Sequence, residues 1–191
     1  SEKFGCRLCA ALTDEQRAEQ GKAAGLDCCA VQQFELPGGS YDLIWYNGIV
    51  EFDGVTQRLE LLRDKLKKGG TLVYRNVSWL TEPSPDTKVF CQRRFGQILP
   101  LDRVLVLAKE QGWKVQDFYI APKSDWNAGY YTPLLAAAEK YAGVHKEDSS
   151  VSLGMSELRK EAGIFEAHCE EYSCVYLSLI HISEPTRQEA I

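Results

Sequence analysis

The apolar run Tyr41-Asp42-Leu43-Ile44-Trp45 stops at Tyr46-Asn47-Gly48. An aromatic, a carboxamide and a glycine at a strand end can be an ordinary turn, since Asn-Gly is a common turn dipeptide. They can also be a ligand rim, because open α/β sheets bind at the carboxyl ends of their parallel strands. There an amide orients a ligand by hydrogen bonding and a glycine permits close approach. Cys6 and Cys9 have the spacing of a redox or metal pair, but no second pair with matching spacing follows. In a strand, positions three apart point to opposite faces and cannot share an ion, so these read as core thiols. His145 and His168 could each act as a general base. The polar stretch around the first and the amphipathic helix around the second read more simply as surface. Glu51 and Asp53 read as helix-start acids. No residue stands out as a convincing catalytic base.

The elements that would position these groups alternate. Residues 6–12 read as a short strand. A helix follows over 13–25, with Thr13 as N-cap, Asp14 and Glu15 in the first turn and Gly25 at its end. Residues 27–31 are a second strand and 41–45 a third, continuously apolar after Asp42 as a strand covered on both faces is. Val55, Leu59, Leu62 and Leu66 recur at helical spacing, lysines crowd the last turn, and Gly69-Gly70 closes that helix. A strand at 71–77, a helix over 101–112 and a strand over 113–121 follow. Residues 122–150 are aromatic-rich and then polar, with a helix over 131–143. Residues 155–172 are mostly helical, and a last strand begins at 173–176. This alternation predicts an α/β fold with a mainly parallel sheet and helices on both faces.

The 191 residues suffice for one domain with a real core. The apolar share of 45% and charged share of 26% are those of a soluble globular chain. With a net charge of −5 and interleaved signs, binding to nucleic-acid backbone is disfavoured, while a small substrate is compatible. No apolar run approaches the ~20 residues of a membrane span, and no export signal is visible. Seven irregularly spaced cysteines then suggest reduced thiols and a cytoplasmic setting. Neither G-x-G-x-x-G nor G-x-x-x-x-G-K-[ST] occurs.

Four features occur in a fixed order. Leu36-Pro37 shortly precedes the Tyr41–Trp45 strand, and Leu66-Lys67-Lys68-Gly69-Gly70 leads into Thr71-Leu72-Val73-Tyr74-Arg75-Asn76. Gln111-Gly112-Trp113 then leads into a further strand. In this order the chain resembles a class I S-adenosylmethionine (SAM) dependent methyltransferase over nearly all of residues 1–176. "SWLTE" and "DWNAGYYTPL" resemble a bacterial subgroup of poorly defined substrate. The resemblance implies a Rossmann-like sheet of order 3-2-1-4-5-7-6, SAM as cofactor, and methyl transfer to a small-molecule acceptor. Nothing in it indicates oligomeric state. A dehydrogenase-like nucleotide enzyme and a non-catalytic binding module of the same fold are the competing readings.

The resemblance also implies site residues. Gln32 and Gln33 fall where the adenine is held. Tyr46, Asn47 and Gly48 would face the methionine end of SAM and the acceptor. Trp79, Trp126, Tyr130 and Tyr131 would cover the acceptor pocket, or else pack the 122–168 insertion between the last two strands. The acid that binds the ribose hydroxyls is replaced by about Ala11, with Asp14 or Glu15 as substitutes or as helix-start acids.

The glycine-rich loop and the first, central strand of such a fold have no counterpart in the sequence. The 1–31 unit is therefore expected to pack poorly or to close against the Tyr41–Trp45 strand, and the fragment to be inactive. At the other end, Leu177–Arg187 coincides residue for residue with one reading frame of a widely used sequencing-library adapter. Residues 177–191 are accordingly expected to be a non-native tail on a truncated domain of 1–176.

Overall fold

The computed structural model describes residues 10–12, 15–24, 28–30, 37–47 and 54–181. Strands β1 (Ala10–Leu12) and β2 (Cys28–Ala30) pair in parallel on either side of helix α1 (Glu15–Ala23). The remaining part of the 6–12 strand reading lies outside the described residues, as does Gly25.

The larger sheet contains β3 (Tyr41–Tyr46), β4 (Leu66–Trp79), β5 (Leu99–Pro100), β6 (Trp113–Ile120) and β7 (Tyr172–His181). Its order is β3-β4-β7-β6, with β5 also paired to β4. β3 and β5 run parallel to β4, and β7 runs antiparallel to both its neighbours. Matched in chain order to the seven-strand plan, this is the run 4-5-7-6, and β1-β2 is the separate pair 2-3. Among the described residues no strand joins the two sheets, and β3 pairs only with β4.

Alternation along β7 defines the two faces. Val175, Leu177 and Leu179 point to α2 (Val55–Arg63) and α4 (Leu101–Glu110), where they meet buried Leu59, Leu62, Leu72, Tyr74 and Val104. Tyr172 and Cys174 point the other way, into an aromatic core with Trp79, Phe95, Trp126, Tyr131 and Phe165. That core is built by α3 (Pro85–Phe95) and by the residues between β6 and β7. These are α5 (Lys123–Trp126), a π-helical turn (Asn127–Tyr131), α6 (Thr132–Val144) and α7 (Ser149–His168). Lower on the same face, Leu43 and Trp45 are exposed.

Three elements depart from the sequence reading. Helix α2 ends at Arg63 rather than at Gly69-Gly70. Gly39 N–H and Ser40 N–H donate to the carbonyls of Asp64 and Lys65, which pulls the chain into β4 as soon as the helix stops. β4 then advances from Leu66 to Thr71 while β3 advances only from Tyr41 to Leu43, so Lys67–Gly70 form a bulge. Gly69, at φ 79°, supplies a backbone state that a side chain would strain. Helix α3 was not anticipated, because its buried positions Thr87, Cys91 and Phe95 include only one large apolar residue. Its signals are Ser84 as N-cap, Pro85 at the first position, Asp86 in the first turn and Gly96 at the stop. Finally, β7 continues past Tyr176 to His181, with Leu177 and Leu179 fully buried. Residues 182–191 lie outside the described residues. Among the described residues, no helix is long and apolar enough to cross a membrane.

Candidate functional site

β3 stops at Tyr46, which pairs with Tyr74 in the middle of β4. The two phenol rings stack, with centroids 5.5 Å apart and planes at 8°. From α2, the buried guanidinium of Arg58 lies 5.4 Å from the centre of the Tyr46 ring, a distance at which cation and π-face attract. Burial raises the Tyr74 phenol above its ordinary pKa, and the adjacent Arg58 charge partly offsets that rise. Tyr46 is thus held by both a stacked ring and a nearby cation. Asn47, the next residue, is exposed. Gly48, Gln32 and Gln33 lie outside the described residues.

The edge of β4 above this point is only partly paired among the described residues. β7 covers one edge of β4 continuously from Thr71 to Trp79. β3 occupies the other edge up to Tyr74, and β5 takes it again at Ser78 and Trp79. Between them, Arg75, Asn76 and Val77 have no strand partner on that edge among the described residues. The gap spans about 10 Å along the strand, at the rise of a β residue. It sits at the carboxyl ends of parallel strands, where α/β folds bind ligands.

Side-chain alternation decides what lines this slot. Val77 packs toward the aromatic core, and Arg75 donates from its guanidinium to Cys174 Sγ at 2.8 Å on the same face. Asn76 points to the face of α2 and α4. Its Nδ2 donates to the Val77 carbonyl at 3.0 Å and to Ser78 Oγ at 3.1 Å. Neither Arg58 nor Asn76 was singled out from the sequence. The available signal was a carboxamide interrupting the apolar run "TLVYRNVSWL" and an arginine on the apolar face of the helical pattern directly before it.

The predicted aromatic set falls together on the opposite face of β4. Trp126 stacks against Tyr131 (5.9 Å, 17°) and lies 4.7 Å from the Phe165 ring. Its indole N–H donates to Ser173 Oγ at 2.9 Å, and Ser173 Oγ donates to the Ala121 carbonyl at 2.7 Å. Trp79 meets Tyr172 edge-on at 6.1 Å. Trp79, Trp126 and Tyr131 are buried, and Tyr130 is half-buried. The Arg94 guanidinium binds the Tyr130 hydroxyl at 3.3 Å and the buried Glu161 carboxylate at 2.9 Å. Burial drives the Tyr131 and Tyr172 phenols well above their usual range and pushes the Cys91 thiol up to about 12.

Glu171 fastens the segment after β4 to the foot of β7. Its carbonyl accepts from Leu80 N–H at 2.8 Å, and its carboxylate accepts from Ser84 N–H at 2.9 Å and Ser84 Oγ at 3.1 Å. His168 Nδ1 lies 2.8 Å from the other carboxylate oxygen. Burial alone would raise this carboxyl, but bonds from the Ser84 backbone, His168, Thr87 and the Ser84 hydroxyl bring it below the usual carboxylate range. His168 is therefore engaged in this clasp, and His145 is exposed at the end of α6 beside Tyr141. Among the described residues, no group of three or more His, Cys, Asp or Glu side chains could hold a metal ion.

No protein-family model and no curated protein matches the sequence. Solved structures do match in shape. A SAM-dependent methyltransferase from Geobacter sulfurreducens, crystallised with S-adenosylhomocysteine (SAH), aligns at a TM-score of 0.73 and 15% identity. The alignment covers 91% of this chain and 75% of that one. A SAM-dependent methyltransferase from Thiobacillus denitrificans, also with SAH, aligns at 0.69 and 18% identity, covering 88% of this chain and 70% of that one. The Haemonchus contortus phosphoethanolamine N-methyltransferase 2, with phosphomonomethylethanolamine and SAH, aligns at 0.64 and 14% identity over 88% of this chain and 40% of that one. These likenesses establish the Rossmann-like α/β fold of class I methyltransferases.

Proposed function

We propose that this fold serves SAM-dependent methyl transfer to a small-molecule acceptor. The observation that carries the reading is the rim at the end of β3, where a fixed Tyr46 and an exposed Asn47 border the open edge of β4. The exposed Asn47 carboxamide suits the cofactor's methionine end, because it both accepts and donates hydrogen bonds and carries no charge. SAM, when bound, supplies a methyl carbon activated by its sulfonium. What the chain adds is position: in-line displacement depends on holding nucleophile and carbon in near-attack geometry.

Tyr46, Asn47 and Gly48 are assigned to the methionine end, and Gln32 and Gln33 to the adenine. Trp79, Trp126, Tyr130 and Tyr131 are assigned to the acceptor side. Tyr130 is the member with exposed ring to offer, and the other three support it. No general base is assigned, and none is required for an acceptor already carrying a free lone pair. Cys91, Cys169 and Cys174 are free thiols, which supports a reducing, cytoplasmic setting.

The reading predicts that this chain binds the cofactor. NMR of the ¹⁵N-labelled protein detects such binding. Millimolar SAH is expected to shift the Tyr46 and Asn47 backbone amides. Shifts there with NADH but not with SAH would favour the dehydrogenase-like alternative. No response to either would leave a binding module that uses neither nucleotide.

A further inference from the structure

The geometry points to Asn76 as the residue that selects the acceptor, through an N–H or O–H group docked in the β4 edge slot. Three observations converge. The slot is bounded by Tyr46 and Asn47 at one end and by Leu99–Pro100 at the other, so it accommodates a small molecule rather than a polymer. Of the three residues that form its floor, Arg75 and Val77 are committed to the opposite face, which leaves Asn76 as the side chain facing α2 and α4. Both hydrogen-bond partners of Asn76 are engaged by its Nδ2.

The last point fixes polarity. A backbone carbonyl can only accept, so the part of the carboxamide facing Val77 is the NH₂ group. The planar amide therefore turns its Oδ1 away from Val77. Among the described residues Oδ1 has no hydrogen-bond partner. Ser78, fully buried, provides the second anchor and stops the amide from rotating. A carboxamide anchored through its Nδ2, whose Oδ1 has no partner among the described residues, is a hydrogen-bond acceptor available to a donor. It discriminates an amine or hydroxyl compound from its methylated counterpart, because only the former satisfies it.

The inference deepens the methyl-transfer reading, and its test does not need that reading to hold. The probes are phenol and anisole, which differ by one O–H, titrated into the ¹⁵N-labelled chain while the Asn76 side-chain amide signals are followed. Phenol is expected to bind about five- to tenfold more tightly than anisole, the worth of one neutral hydrogen bond. Asn76→Val is expected to bring the two to equal affinity while the dispersion of the remaining amide signals is kept. Ser78→Ala, which frees the carboxamide to turn, should reduce the ratio without abolishing binding. The proposal is overturned by equal binding of phenol and anisole to the unmodified chain, by binding of neither, or by a ratio that survives both substitutions. A phenol preference without any SAH response would sink the methyl-transfer reading and leave the slot assignment standing. An SAH response without a phenol preference would do the reverse.

Discussion

The two faces of the large sheet are built on different terms. Toward α2 and α4 the core is largely aliphatic, with Leu59, Leu62, Leu72, Val104, Val175, Leu177 and Leu179 all fully buried. Toward the insertion the core is aromatic and is pinned by polar bonds from Trp126 to Ser173, Arg94 to Glu161 and Ser84 to Glu171. The first face needs only shape and apolarity, which many side-chain combinations satisfy. The second couples large rings to specific partners, so losing one ring also strands a polar group. The β4 edge slot belongs to the first face, where Asn76 and Ser78 interrupt the apolar lining.

The contrast can be broken most directly at Trp126. Trp126→Ala is expected to cost about 3–5 kcal/mol, the scale for deleting a buried large aromatic ring. Leu59→Ala on the other face should cost about 2–5 kcal/mol. Urea unfolding compares the two, and only the tryptophan variant should also lose the near-ultraviolet circular dichroism of the ring cluster. Retention of that signal would show that the rings are not packed as a unit.

A smaller effect sharpens the polar side of the comparison. Glu171→Gln should cost about 0.5–2 kcal/mol at neutral pH, as for loss of a helix cap. The carboxyl sits below its ordinary range in the folded state, so its stabilisation is complete above the unfolded value of about 4.3. It fades as pH falls through the lower folded value. The Tm gap between wild type and variant should therefore close on acidification. A gap unchanged at low pH would contradict the clasp. The smallest effect is expected at Lys67–Asp42, a surface pair at 2.8 Å on the bulge. Lys67→Ala should cost about 0.2–1 kcal/mol, and less in high salt.

The legibility of the molecule follows the same division. The strands around Tyr41, Thr71 and Trp113 and the helices over Val55–Arg63 and Leu101–Glu110 were readable because apolar periodicity is a local signal. The end of α2 was misjudged because Leu66 continues the helical spacing, while the bonds that turn the chain at Asp64 and Lys65 come from Gly39 and Ser40. Helix α3 carried capping signals without the apolar stripe that would have drawn attention to it. The rim residues Tyr46 and Asn47 were legible as a strand end, and their place beside the open edge is now visible. Arg58 and Asn76 were not, because their setting depends on other elements: Arg58 lies over the ring of a β3 residue, and Asn76 lies where the described pairing of β3 and β5 with β4 leaves a gap. Gln32, Gln33 and Gly48 fall outside the described residues.

The position of β7 has a consequence in time. It comes last in the chain among the described strands, yet it lies between β4 and β6 and supplies the pairing that joins them. Until residues 172–181 have been synthesised, β6 has no partner among the described strands, and the β4 edge that β7 takes is bare. A ribosome-bound chain must therefore carry a bare β4 edge and an unpaired β6 past the whole insertion before the sheet can close. Such edges invite pairing with other chains. Between the synthesis of Ile120 and that of Tyr172, the described edges that β7 later joins stand unpaired.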